Sequence, residues 1–428
     1  MQHVKRPNHS EEDTDSNESQ RKCALIIIDG LGDLPVPELG EKTPLEAAHT
    51  PLFDRLAQGG LYGLVDPIIP GEIPNTHSGT GMLMGMLPGQ ADRLSRGPVE
   101  ASGAGTVLAA GDIAMRANFA SIKNQDGTFL ITDRRAGRIT AGTDELAAVL
   151  TEIDLGDGIC AKLVPTDQHR AVLVLSGPGL HAAISNTDPG DSKMPAIVKT
   201  CLPLSPEAEL TASKVNRFIV KAHRRLVDHP INIARQAKGK PAANGIITRG
   251  AGAQFELDNV LQSLSIEAAV VSGCNTVLGL GRIFGFDAIV DSRFTATVST
   301  DLHAKVAAVV SALDDHDMVF LHVKAPDICS HDRQPLAKRD FLQRLDTALE
   351  PLLESDSIIA IAADHTTNSN SGFHTADPVP ALIWHPDGDH SGAPVTFGES
   401  ACRHGNMDRQ LSTEFLLRVL RIMGYQPT

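Results

Sequence analysis

The chain has 428 residues, a net charge of −14, one Trp and two Tyr. That length holds two or three domains and a full core, while the negative charge repels phosphate backbones and the scarcity of stacking rings argues against carbohydrate and single-stranded nucleic acid platforms. Six cysteines at 23, 160, 201, 274, 329 and 402 form no CxxC pair, no apolar run reaches membrane-spanning length and no signal peptide opens the chain, so the expectation is a reduced, soluble, cytoplasmic protein with neither nucleic acid nor membrane as partner.

Residues 1–21, with Glu11, Glu12, Asp13, Asp15 and Glu18 and no periodicity, read as a disordered acidic tail. Ala24 to Ile28 is an apolar run closed by Asp29, the pattern of a buried parallel strand. Thr43-Pro44-Leu45-Glu46-Ala47-Ala48 opens a helical turn, and Thr50-Pro51, followed by Leu52, Leu56 and Ala57 at helical spacing, opens a helix. A loop rich in Pro and Gly, Pro67 to Pro74, leads into Asn75-Thr76-His77-Ser78. The small and apolar residues from Gly79 to Met86 suit a helix packed tightly beneath a site. Thr76 then stands at or just before a helix N-terminus, where backbone N–H groups favour an anion.

From 93 to 241 the texture changes: Gly111 to Ile122 and Ala171 to Ser176 alternate like half-buried strands among mixed charges. Buried strand–helix alternation resumes at Gly245-Ile246-Ile247. Further strands are expected at Ile266 to Val271, Ala288 to Val290, Met318 to Val323, Ile358 to Ala362 and Ala381 to Trp384. The predicted architecture is α/β: a mostly parallel sheet flanked by helices, formed by 22–92 and 242–428, interrupted by an inserted α+β unit at 93–241.

Asp29 and Asp364 each end a predicted buried strand, Asp327 follows another, and His331, His365 and His374 accompany them. In open α/β sheets the carboxyl ends of strands meet at one crevice. Three carboxylates gathered there repel one another unless a cation neutralises them, and mixed carboxylate and imidazole donors suit Mn²⁺ or Zn²⁺. Thr76 is the candidate nucleophile, with Ser78 second, because a hydroxyl beside a divalent metal loses its proton near neutral pH. Asp133 to Arg138 gathers Arg134, Arg135 and Arg138 around a glycine, and His169-Arg170 adds a further cation. Guanidinium forks match carboxylate and phosphate oxygens, and Lys324, three residues before Asp327, offers a point charge. Two other signals are set aside. Gly279-Leu280-Gly281-Arg282-Ile283-Phe284-Gly285 has one residue too many before its third glycine for a dinucleotide loop and follows helical text. Cys329 reads as a small buried hydrophobe rather than a soft ligand.

A series of motifs carries a family resemblance: Ile27-Ile28-Asp29-Gly30-Leu31-Gly32-Asp33, Lys42 to Ala48, Arg96-Gly97-Pro98 with Glu100-Ala101, Gly111-Asp112-Ile113-Ala114, Asp133 to Ile139, Asp228-His229-Pro230, Arg249-Gly250-Ala251-Gly252, His322-Val323-Lys324, Asp364-His365 and Asp377-Pro378-Val379-Pro380. In these the chain, nearly everywhere after the tail, resembles the archaeal-type 2,3-bisphosphoglycerate-independent phosphoglycerate mutases of the alkaline phosphatase superfamily. The resemblance implies an alkaline-phosphatase-like core with two divalent ions, Mn²⁺ first and Zn²⁺, Co²⁺ or Mg²⁺ as alternatives. Asp327, His331 and His374 would hold one ion; Asp29, Asp364, His365 and Thr76 would hold the other. The insertion would bind the glycerate end of a small phosphorylated substrate, with Arg134, Arg135, Arg138 and Arg170 as candidate contacts and Lys324, outside it, as a further substrate-binding candidate.

The implied reaction, a step of glycolysis and gluconeogenesis, interconverts 2-phosphoglycerate and 3-phosphoglycerate through a phosphothreonine. Two stretches depart from the family pattern. A serine in a Ser-Asp-Thr-like stretch is usual where, counting from Pro74 and Gly85, this chain has Thr76 followed by His77, and Arg403 to Gln410 replaces glycine-rich text. Alternative readings keep the site but change the acceptor, giving a phosphotransferase of the homoserine-kinase kind or a phosphate or phosphonate ester hydrolase. A non-catalytic, metal-stabilised binding protein is a third, against which the complete ligand set argues.

Overall fold

The computed structural model describes residues 20–91, 94–190 and 193–427; all but the end of the predicted acidic tail lies outside the described residues. The strands in chain order are β1 (Cys23–Ile28), β2 (Leu61–Asp66), β3 (Ile113–Gln125), β4 (Thr128–Asp133), β5 (Ile153–Asp154), β6 (Cys160–Pro165), β7 (Arg170–Ser176), β8 (Ala196–Ile197) and β9 (Gly245–Gly252). They continue with β10 (Ala268–Val271), β11 (Asp287–Ile289), β12 (Met318–Val323), β13 (Ile358–Ala362), β14 (Thr366–Asn368), β15 (Phe373–Thr375), β16 (Val379–Trp384) and β17 (Gln410–Leu411).

One sheet runs β11-β10-β12-β1-β13-β16-β2-β17. β11, β10, β12, β1 and β13 are mutually parallel, and β16 runs antiparallel between β13 and β2. Every residue of β1, β12 and β13 is buried, because helices cover both faces of a parallel sheet and leave no polar side. This is the mostly parallel, helix-flanked sheet that the apolar runs predict. Its register positions the chemistry. Ile28 pairs with Val323 and Ile27 with Ala362, so Asp29, Lys324 and Asp364 leave the sheet level with one another at its carboxyl edge.

The second sheet runs β5-β6-β7-β3-β4-β8, with β9 also paired to β3. β9 departs from expectation: Gly245-Ile246-Ile247 was to return the chain to the first sheet, yet it lies antiparallel to β3, and the first sheet resumes only at β10. Ile246 packs into the core beneath this second sheet and Ile247 into a smaller cluster with Ala120, Ile122 and Ile131. A strand buried on both faces therefore reads as a parallel core strand in either place. The helix Glu209–Leu226 buries Val215, Phe218, Ile219 and Ala222 against Met115, Ala117, Phe119 and Leu173 of the sheet.

Backbone-to-backbone contact joins the two parts. The helices Arg96–Gly103 and Asn275–Ile283 cross so closely that a Cβ at Gly103 would lie 2.0 Å from the Asn275 carbonyl oxygen, and one at Gly279 1.9 Å from that of Val99. Gly281 is likewise pressed against Val270. Two of the three glycines of the dinucleotide-like stretch, Gly279 and Gly281, thus serve the packing of this helix. Among the described residues no helix is long and apolar enough to cross a membrane.

Candidate active site

Asp29 follows β1 and Asp364-His365 follow β13. Asp327 and His331 share one face of the helix Ala325–His331, because four residues are about one turn. His374 returns on β15, which pairs with β14 so that Thr367 faces His374. His331 Nε2 lies 3.3 Å and His374 Nε2 3.4 Å from Asp327 Oδ1, and the two Nε2 atoms are 3.2 Å apart.

The other ring nitrogens fix the tautomers. His331 Nδ1 is 2.7 Å from the Gly372 carbonyl oxygen and His374 Nδ1 3.0 Å from that of Pro74. A carbonyl only accepts, so both Nδ1 atoms carry hydrogen and both Nε2 atoms present lone pairs. Three acceptors converging at this spacing fit a divalent cation, for which ligand bonds of about 2.1 Å place neighbouring donors roughly 3.0–3.4 Å apart.

Asp29, Asp364, His365 and Thr76 form an adjoining group. His365 Nε2 is 3.3 Å from Asp29 Oδ1, 3.4 Å from Asp364 Oδ2 and 3.4 Å from Thr76 Oγ1. Thr367 Oγ1 donates to Asp327 Oδ1 at 2.8 Å and, its one hydrogen spent, accepts from His365 Nδ1 at 2.9 Å. His365 Nε2 is thereby left free to ligate. Groups of potential metal donors lying within 4.8 Å of one another are Asp327, His331 and His374; Asp29, Asp327 and His365; and Asp29, His322 and Asp364. Cys329, buried in the same helix as Asp327, belongs to none of these.

The electrostatics of this cluster turn on its carboxylates. Asp29 and Asp364 are 0 % exposed and Asp327 2 %, and Lys324 Nζ lies 2.8 Å from Asp29 and 2.7 Å from Asp327. Burial alone would raise Asp29 and Asp327. The Lys324 ammonium, joined at Asp29 by a hydrogen bond from His322, holds both below the usual carboxylate range. Burial, reinforced by the charges of Asp29 and Asp327, drives Asp364 well above that range. One ammonium does not balance three carboxylates, which is a second respect in which the donors fit added positive charge.

Thr76 is the first residue of the helix Thr76–Leu83, capped by Asn75. Its hydroxyl is 2.9 Å from Lys324 Nζ. Ser78 instead exchanges hydrogen bonds with Asn75, its Oγ donating to the Asn75 carbonyl at 3.1 Å and accepting from the Asn75 N–H at 3.1 Å. That commitment to the cap separates the two candidate nucleophiles. A Cβ at Gly79 would lie 1.9 Å from the Asp364 carbonyl oxygen, so glycine lets the helix press Thr76 onto the loop of Asp364 and His365. Gly79→Ala is expected to push the helix outward by about 1 Å and cut turnover roughly 100-fold. Steady-state kinetics beside a thermal melt would check this, and near-normal turnover would show that the close approach is not needed.

Facing this centre is a cationic side of the second sheet. Along β3, Met115, Ala117 and Phe119 enter the core beneath the sheet, which leaves Arg116 and Asn118 on the opposite face. Arg116 pairs directly with Arg249 of β9, and Asn118 with Arg170 of β7, so these residues share that face. Like charges directly opposite are unfavourable. Glu100, 3 % exposed on the Arg96–Gly103 helix, offsets part of this charge 3.5 Å from Arg116, while Asn275 and Thr276 donate to the same carboxylate at 2.7 and 2.9 Å. The Nε atoms of Arg116, Arg170 and Arg249 are buried with no hydrogen-bond partner among the described residues. Such a face suits an anion.

His77, beside Thr76, has its pKa lowered to about 4 by burial and by Arg96 and Arg116, which ties the cationic face to the Thr76 helix. Of the arginines singled out in the sequence, Arg170 belongs to this face. Arg135 is lowered by burial and then by its neighbours Arg138, Arg170 and Arg134. Arg134 reaches Asp188 at 2.8 Å and Arg138 reaches Asp332 at 3.3 Å, next to His331. Sequence reasoning passed over Arg96, Arg116, Arg249, Glu100 and His322, although each lies in a motif that carried the resemblance or in the strand alternation. His322 Nε2 lies 3.0 Å from Asp29 Oδ2 and its Nδ1 3.2 Å from Ser272 Oγ; a lone histidine in the apolar run of β12 was its signal.

Residues 57–232 match the family model described as 2,3-bisphosphoglycerate-independent phosphoglycerate mutase. A protein of that name from Methanopyrus kandleri is 40% identical over 94% of this chain and 96% of its own length. Another, from Ignicoccus hospitalis, is 38% identical over 90% of this chain and 94% of its own. Among solved structures, the PH0037 protein from Pyrococcus horikoshii has a TM-score of 0.77 at 28% identity, covering 96% of this chain and 99% of that one. A cofactor-independent phosphoglycerate mutase from Thermoplasma acidophilum has a TM-score of 0.64 at 29% identity, covering 94% and 100%.

Proposed function

The chain belongs to the 2,3-bisphosphoglycerate-independent phosphoglycerate mutases, and from that premise we propose that it interconverts 2-phosphoglycerate and 3-phosphoglycerate through a phosphothreonine at Thr76. The observation that carries the proposal is the position of the Thr76 hydroxyl, 3.4 Å from His365 Nε2 and 2.9 Å from Lys324 Nζ. Asp327, His331 and His374 would hold one divalent ion, and Asp29, Asp364, His365 and Thr76 a second, with Mn²⁺ the first choice for this mixed donor set. When bound, such ions lower the pKa of the hydroxyl and offset charge on the phosphoryl oxygens.

The chain's own groups supply the rest. Lys324 fixes the Thr76 hydroxyl and follows the negative charge as it passes from that oxygen to the phosphoryl group. Thr76 Oγ bonds to phosphorus as the bond from phosphorus to the glycerate oxygen breaks. Arg116, Arg170 and Arg249, with Arg135 and Arg138 at the margin, hold the glycerate carboxylate while the molecule turns. The proton that Thr76 gives up goes to the departing glycerate oxygen; the other glycerate hydroxyl then takes the phosphoryl group as its own proton passes to Thr76 Oγ. In this reading the insertion, extended through β9, is the substrate-binding part, and it excludes water that would hydrolyse the intermediate.

With doubly labelled substrate, carrying isotope in both phosphate and glycerate, the phosphoryl group is expected to stay on its original glycerate without added 2,3-bisphosphoglycerate. Scrambling between molecules would favour a phosphotransferase. Inorganic phosphate as main product would mark a hydrolase and direct attention to Thr76-His77, where the chain departs from its family's usual residues.

A further inference from the structure

A buried ion pair behind the ligand cluster takes no part in the chemistry above. Asp33 and Lys338 have 0 % exposed side chains and approach to 2.7 Å. Asp33 lies four residues after Asp29, and Lys338 belongs to the helix Pro335–Ala348. Lys338 Nζ also donates to the Gly32 carbonyl at 3.2 Å. The Asp33 carboxylate accepts from the Ser369 N–H at 2.9 Å, the Ser369 hydroxyl at 2.5 Å and the Leu34 N–H at 2.8 Å. Ser369 is in the turn between β14 and β15, four residues after His365 and five before His374. Its hydroxyl lies 3.2 Å from that of Ser330, the residue before His331.

One carboxylate therefore joins the three segments that carry the acids and imidazoles assigned to the two ions, His322 of β12 standing outside them. It ties the loop after Asp29, the hairpin bearing His365 and His374, and, through Ser369, the helix bearing Asp327 and His331. The surroundings leave little slack: Gly32 O accepts from Thr367 N at 3.0 Å, a Cβ at Gly32 would meet Thr366 Oγ1 at 2.2 Å, and Asp33 N donates to Glu399 Oε1 at 3.1 Å. A fully buried ion pair is a poor stabiliser, since desolvation consumes its attraction and apolar replacements are often neutral or better. Geometry is what this pair provides.

We propose that Asp33, with Lys338 as its counter-charge and Ser369 as its link, is the positioning residue that sets the spacing of the metal ligands. The proposal rests on the reading of the Asp327 and Asp29 groups as metal sites. Residues that orient ligands without touching the ion typically change metal affinity 10–100-fold when replaced.

The test is a calorimetric Mn²⁺ titration of chelator-stripped full-length protein, run beside thermal melts. Ser369→Ala, which removes only a hydroxyl, is expected to bind Mn²⁺ at least about tenfold more weakly with a melting point close to wild type. Asp33→Asn alone leaves Lys338 buried without a charge partner and risks misfolding. The double variant Asp33→Leu with Lys338→Met removes both charges and is expected to stay folded, with some stability lost where Leu34 and Ser369 give up their acceptor, while affinity falls by a similar factor or more. A purely structural role would give the opposite, lowered stability with unchanged affinity, and that result overturns the proposal. Wild-type protein that binds no Mn²⁺ would bring down the metal reading itself, and this proposal with it; the wild-type titration separates the two failures.

Discussion

Thr76→Ala is expected to lower turnover by at least ~10³-fold, because removing the attacking oxygen leaves only binding and electrostatic stabilisation. Thr76→Ser keeps the oxygen and is expected to retain measurable turnover, losing chiefly the rotamer restriction that the β-branched side chain imposes. Mass spectrometry of acid-quenched protein with substrate should find added phosphate on the peptide containing Thr76. Ser78→Ala makes the contrast. Its hydroxyl is engaged with Asn75 at both ends, so its removal should cost about 1 kcal/mol of helix capping and leave the chemistry. Loss of turnover in Ser78→Ala with activity kept in Thr76→Ala would move the nucleophile by two residues and undo the assignment.

Removing divalent ions with a chelator is expected to abolish turnover, and adding Mn²⁺ to restore it. The reason is the charge balance at the carboxyl edge of the parallel sheet, where Asp29, Asp327 and Asp364 are all but fully buried and Lys324 is the ammonium between them. At 4 Å two like charges repel by about 4 kcal/mol even with an effective dielectric constant of 20, so three ionised carboxylates there call for more than one positive charge. Asp364→Asn removes a donor from one group only and is expected to bind about one ion fewer per chain, with turnover down at least ~10²-fold. Metal analysis after gel filtration, paired with rates, would check both. Full activity in rigorously stripped protein refutes the metal requirement.

The cluster of candidate donors was legible because each member has a local signature. Asp29 and Asp364 break apolar runs, Asp327 and His331 are one helical turn apart, and Thr76 precedes a stretch of small residues. The cationic face was not. Arg116 stands between Met115 and Ala117 in a strand that only looks half-buried, and what gives it meaning is a register pairing with Arg249, far along the chain. β9 was misplaced for the same reason: the apolar pair Ile246-Ile247 reports burial on two faces without saying which sheet provides it. Asp33 and Lys338 belong to the same class. Each alone reads as a surface charge, and their pairing exists only once the loop after β1 meets the Pro335–Ala348 helix.

The glycine-lined crossing of the Arg96–Gly103 and Asn275–Ile283 helices has a consequence for anyone who would exchange parts between relatives. The Arg96–Gly103 helix precedes the second sheet in sequence, but its shape is matched to the other unit through Gly103 and Gly279, where even a methyl group has no room. It also carries Glu100, held by Asn275 and Thr276 across that seam. A chimera that imports a foreign segment in place of 93–241 would bring a helix cut to another partner and set it against the host's Asn275 and Thr276. A graft joined after Gly103, with the host's own helix kept, preserves the seam. Modular exchange in this protein therefore follows the fit between two helices, and a cut ahead of the Arg96–Gly103 helix is the wrong one.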